Sequence, residues 1–132
     1  MSGFSPEWLA LREPADTAAR SPEVLAALRQ AFAGRPSCRI CDFGAGTGSS
    51  VRALAEHLPA RQDWLLVDHD AANISAAVAA LSDWADASER QGGELLLRHG
   101  QQVLKVSFAV RDLAATGELL PEPVDLVTAS AL

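Results

Sequence analysis

The stretch Cys38-Arg39-Ile40-Cys41-Asp42-Phe43-Gly44-Ala45-Gly46-Thr47-Gly48 constrains this chain more than any other. A short apolar run reaches an acid, Asp42, and then breaks into glycines at alternate positions, Gly44, Gly46 and Gly48. An amphipathic helix pattern follows. Strand, glycine turn and helix is how α/β folds build a nucleotide site. Glycine lacks a Cβ, so it tolerates positive φ and lets a ligand approach the backbone. The helix N-terminus adds unpaired N–H groups. The turn is therefore expected to bind an adenosine-containing cofactor.

The 132 residues suit one domain with a sizeable core. A formal net charge of −6 disfavours nucleic acid as the main partner, because phosphate binding needs clustered Lys and Arg. No apolar run approaches membrane-spanning length, and residues 1–20 lack the basic-then-apolar signal-peptide pattern. The expected location is the cytoplasm. Cys38 and Cys41 form a C-x-x-C, but residues three apart on a strand point to opposite faces, with Cα atoms about 10 Å apart. That is too far for a disulfide, and no second cysteine pair or paired His completes a metal site. They read as small core-facing residues.

Ser5-Pro6-Glu7 and Ser21-Pro22-Glu23 both look like helix starts. The first helix would carry Trp8, Leu9 and Leu11. The second presents Val24, Leu25, Leu28 and Phe32 on one face and stops at Gly34 and Pro36. A strand over 38–43 leads into the glycine turn. The next helix carries Val51, Leu54, Ala55 and Leu58 and closes at Pro59. Trp64-Leu65-Leu66-Val67 fits a parallel strand buried on both faces and ends at Asp68-His69-Asp70. A third helix, to about Ala87, would show Ile74, Val78, Leu81 and Ala85 on one face. Residues 94–99 and 102–111 read as two strands joined by a tight turn. Pro121 and Pro123 lead into a fourth sheet strand over 125–132.

This alternation predicts an α/β fold: a three-layer, Rossmann-like partial parallel sheet of order 3-2-1-4, with helices on both faces and extra N-terminal helices over residues 1–36. Residues 37–132 would form the cofactor-binding unit. The ligand crevice is expected where the order reverses, at the ends of the first and fourth strands.

Dinucleotide proteins favour G-x-G-x-x-G with an acid roughly 20 residues later. Here the spacing is G-x-G-x-G, directly after Asp42. Asp42-Phe43-Gly44-Ala45-Gly46-Thr47-Gly48 resembles motif I of the class I S-adenosylmethionine-dependent methyltransferases. Asp68 resembles that family's ribose-binding acid, Arg111-Asp112-Leu113 its adenine-contacting segment, and Asp125 to Ser130 its fourth-strand motif. The resemblance covers roughly residues 38–132. It implies an S-adenosylmethionine site. Asp42, Gly44, Ala45, Gly46 and Gly48 would surround the methionine moiety, and Asp68 would hold ribose. His69, through its backbone, Asp112 and Leu113 would lie near adenine, and Thr128 and Ser130 near the methyl group. No metal is implied. Asp70 reads as a helix N-cap. His57 reads as a helix-dipole partner, His99 as hairpin surface, and Trp8 and Trp84 as packing residues.

No nucleophile elbow, H-E-x-x-H or Walker lysine is present. Methyl transfer needs none, since the sulfonium carries an activated methyl group. The family's amino- and nucleobase-methylating members often carry Asn/Asp-Pro-Pro-Tyr/Phe/Trp at the fourth strand. Here the stretch is Val127-Thr128-Ala129-Ser130, which favours a small-molecule acceptor. The family sheet has seven strands, so the chain is expected to be the N-terminal part of a longer methyltransferase. A homodimer through the fourth-strand edge is also expected. The rivals are an NAD(P)- or FAD-binding oxidoreductase domain and a non-catalytic interaction module of the same fold.

Overall fold

The computed structural model describes residues 22–111 and 123–129. Helix α1 spans Pro22–Ala31, with Glu23 in its first turn and Arg29 in its last, both favourable to the helix dipole. Leu25, Leu28 and Phe32 meet the core, whereas Val24 is 56% exposed. The contact stripe is narrow, and Val24 lies one turn before Leu28 on its outer side.

Strand β1 (Ser37–Phe43) enters the glycine turn. Helix α2 (Ser49–Leu54) continues as a 3₁₀ turn over Ala55–His57, so the expected longer helix tightens in its second half. Strand β2 spans Arg61–Asp68 and helix α3 spans Ala71–Trp84. After it come β3 (Ala87–Gln91), β4 (Glu94–His99), β5 (Gln102–Val110) and β6 (Leu126–Ala129).

The fold is α/β, built among the described residues on a six-stranded mixed sheet of order β3-β4-β5-β2-β1-β6. This corrects the all-parallel order 3-2-1-4. Strands β5, β2, β1 and β6 form a parallel block, with Ile40 facing Trp64 on one side and Leu126 on the other. Beyond β5 the sheet continues antiparallel through β4 and β3. Two-residue loops, Gly92-Gly93 and Gly100-Gln101, join those strands. The third helix therefore ends before Ala87, which begins the edge strand β3. That strand is exposed along its length and carries Glu89 and Arg90, charges that discourage edge pairing.

Helices on both faces were also expected, but among the described residues they pack on one face. Alternation and register put Ile40, Trp64, Leu66, Leu95, Leu97, Leu104 and Val106 on that face. They form one cluster with Phe32, Val51, Leu54, Ala55, Leu58 and Leu81. Fully buried Trp64 donates its indole N–H to Gln62 Oε1 at 2.9 Å. Gln62 in turn donates to the carbonyls of Ala55 and Pro59, both at 2.8 Å, which ties the 3₁₀ turn and the loop after it to β2. The buried stripe of α3 is Asn73, Ala77 and Leu81, while Ile74 and Val78 flank it half-buried. His99 stacks on Trp84, with ring centroids 3.8 Å apart, so it is not a plain surface residue. No helix among the described residues is long and apolar enough to cross a membrane.

Candidate ligand-binding site at the glycine turn

The turn sits where β1 ends between its two parallel neighbours, β2 and β6. Gly44, Gly46 and Gly48 all adopt positive φ, at 67°, 55° and 79°. Their alternate spacing folds the chain back on the end of β2. Gly44 N and Ala45 N donate to the Val67 carbonyl at 2.9 and 3.1 Å, and Gly46 N donates to Asp68 Oδ2 at 3.0 Å. Gly48 N donates to the Ala45 carbonyl at 2.9 Å. Gly48 then serves as the N-cap of α2, and its missing Cβ leaves room for Leu81. Arg52, one turn into α2, donates from Nη2 to the carbonyl and hydroxyl oxygens of Thr47, both at 3.1 Å.

Two buried carboxylates flank the turn. Asp42, 0% exposed, accepts from Thr128 Oγ1 at 2.6 Å, and these two residues are register partners on β1 and β6. Asp68, 4% exposed, accepts at Oδ1 from Asp70 N at 2.9 Å and from Asn73 Nδ2 at 3.2 Å. With Gly46 on its other oxygen, it ties the turn, the end of β2 and the start of α3 together. His69 Nδ1 lies 3.7 Å from Asp68 Oδ1, beyond hydrogen-bond range, on a partly exposed side chain. Asp70 caps α3, accepting from Ala72 N at 2.8 Å.

Asp125 sets the position of β6. Its carboxylate accepts from Arg39 N at 2.8 Å and Arg35 Nη2 at 3.0 Å, and its own N–H donates to the Arg39 carbonyl at 2.8 Å. The Arg39 amide, then the Arg35 guanidinium, holds the Asp125 carboxyl below its usual range. Cys38 and Cys41 are buried free thiols. Burial pushes both up to about 11, aided by Asp125 at Cys38 and by Asp42 at Cys41. Neither has the character of an activated thiolate. A cavity of about 670 Å³ lies at the opposite end of the strands, lined by Arg39, Arg61, Asp63, Arg98 and Lys105, away from the turn.

The structure thus gathers Asp42, Gly44, Ala45, Gly46, Gly48, Asp68, His69 and Thr128 at the strand ends. Asp112, Leu113 and Ser130 lie outside the described residues, as do the first predicted helix and Trp8. Asn73 was not foreseen. Its signal is a weak helix former on the core face of a helix rich in Ala, five residues after Asp68. Compared with known protein families and with curated proteins, the chain matches none.

Proposed function

We propose that this chain is the S-adenosylmethionine-binding domain of a methyltransferase that acts on a small-molecule acceptor. One observation carries the reading: the amides of Gly44, Ala45, Gly46 and Gly48 all donate to protein acceptors, while two buried carboxylates flank the turn. A pyrophosphate ligand calls for free N–H groups at this turn. S-adenosylmethionine instead brings an ammonium and a sulfonium, which call for acceptors, and a single carboxylate in place of the pyrophosphate. The donor set therefore fits S-adenosylmethionine better than a dinucleotide.

When bound, S-adenosylmethionine supplies a methyl group already activated on a positive sulfur. The residues of this chain bind and orient. Asp42 and the turn from Gly44 to Gly48 would meet the methionine moiety, and Asp68 would accept from ribose. The His69 backbone, Asp112 and Leu113 would border adenine. Thr128 and Ser130 would border the methyl group. Alignment of an acceptor with the S–CH₃ bond, and exclusion of water from it, would account for the rate.

The three donors already on Asp68 favour a second reading, a non-catalytic module in which this acid only holds the turn. Calorimetric titration with S-adenosylmethionine, S-adenosylhomocysteine and NAD separates the cases. The proposal expects saturable binding of the two adenosyl ligands and none of NAD. Binding of NAD alone would overturn it, and binding of none would favour the module.

A further inference from the structure

We infer that Asp68 takes one ribose hydroxyl rather than two, and that Asn73 sets this limit; the inference rests on the adenosyl reading above. A carboxylate offers about four acceptor positions, two on each oxygen. Asp70 N and Asn73 Nδ2 occupy Oδ1, at 2.9 and 3.2 Å. Gly46 N occupies one position on Oδ2, at 3.0 Å. One acceptor position remains, on Oδ2.

The three donors are held by different parts of the fold. Asp70 N belongs to the start of α3, where the Asp70 side chain caps the helix. Gly46 N is aimed by the positive-φ turn. Asn73 is 1% exposed, so its side chain has no route to solvent. Its amide nitrogen must face Asp68, because a carboxylate can only accept. Its carbonyl oxygen has no hydrogen-bond partner. An Asn kept on the core face with half its amide unsatisfied is costly, and its one polar contact is with Asp68. A vicinal diol bound through both hydroxyls needs two acceptor positions. Here the second exists only if a donor leaves, and Asn73 is the only one of the three donors that is not main chain.

The test compares S-adenosylhomocysteine with its 2′-deoxy and 3′-deoxy forms by calorimetry, on the wild-type chain and on Asn73→Ala, with Asn73→Val as a second variant that also lacks a donor and thermal unfolding as the check that each is folded. In the wild type, loss of one hydroxyl should weaken binding about tenfold, as for a hydrogen bond to a charged group, and loss of the other by less than twofold. In the variants both deletions should weaken it, because the Asp68 carboxylate, released from Asn73, can turn a second acceptor position toward the ligand; a folded variant that keeps the wild-type asymmetry overturns the role given to Asn73. Equal sensitivity of the wild type to both deletions, or to neither, overturns the inference while leaving the adenosyl reading intact. A wild type that binds no S-adenosylhomocysteine overturns both.

Discussion

Thr128 donates its hydroxyl to the fully buried Asp42 across 2.6 Å, joining the end of β6 to the acid that precedes the glycine turn. The bond couples β6, an edge strand among the described residues, to the centre of the candidate site. Main-chain pairing alone would leave such a strand free to fray.

Thr128→Val keeps the shape and removes the hydroxyl. It should destabilise the fold by about 1.5–3 kcal/mol, the range for a hydrogen bond to a charged group. Thr128→Ser should recover most of the loss. Urea unfolding at a constant m-value reads both variants. The Val variant should also bind S-adenosylhomocysteine more weakly, since Asp42 then loses one of the contacts that orient it.

Gly48 and Gly34 share a φ of 79° but differ in surroundings. A Cβ on Gly48 would sit 3.1–3.2 Å from the Leu81 side chain, whereas one on Gly34 meets nothing within 4 Å. Gly34→Ala should cost about 1–2 kcal/mol from the left-handed backbone alone. Gly48→Ala should cost about 1–3 kcal/mol more, from overpacking against α3. Equal losses in chemical denaturation would mean that Leu81 yields freely. Leu81→Val in the Gly48→Ala background tests the contact directly, because the paired losses should then sum to less than their parts.

The glycine turn was legible from the sequence because its signal is local: three glycines at alternate positions after an acid admit few backbone paths. The parallel block β5-β2-β1-β6 follows from the handedness of crossovers. The full strand order was not legible. Ala87–Gln91 is a polar edge strand, exposed on both sides, so it has no apolar alternation to mark it. Asn73 escaped for the opposite reason. The apolar pattern of α3 pointed to Ile74 and Val78, while packing placed Asn73, Ala77 and Leu81 innermost. A polar residue on a core face is invisible to hydrophobic periodicity until its partner is known.

Cys38 and Cys41 predict a fall in stability at alkaline pH. Burial raises both thiols from 9.0 to about 11 in the folded chain. Above pH 9 the unfolded chain loses these protons while the folded chain keeps them, so the stabilisation present below pH 9 drains away as pH rises toward 11. Replacing both cysteines with Ala should flatten the stability profile over that window. In the wild type at neutral pH, a thiol reagent should react slowly with the native chain and quickly with the unfolded one.

Asp125 predicts the opposite dependence at acid pH. Its carboxyl titrates below the ordinary value of 3.8, first because of the Arg39 amide and then because of Arg35. Its contribution is therefore present above that value and is lost as pH falls through the folded-state pKa. Asp125→Asn should be less stable than wild type at pH 7, and the gap should close in acid. A gap that stays constant down to the acid limit would show that the Asp125 charge plays no part in holding β6.

Asp68→Asn separates the two roles of that acid. An amide keeps one oxygen and replaces the other with a donor. Its oxygen should remain at the Oδ1 position, where Asp70 N and Asn73 Nδ2 both need an acceptor. The new NH₂ then faces Gly46 N, formerly 3.0 Å from Oδ2, and leaves that buried N–H without a partner. The expected loss is about 1–3 kcal/mol, read by urea unfolding. The folded variant should also bind S-adenosylhomocysteine at least tenfold more weakly, because the remaining acceptor position is the one that became a donor. Lower stability with unchanged affinity would assign Asp68 to holding the turn alone. Unchanged stability would show that the Gly46 contact contributes nothing, and the turn would then owe its shape to the two amides that donate to the Val67 carbonyl.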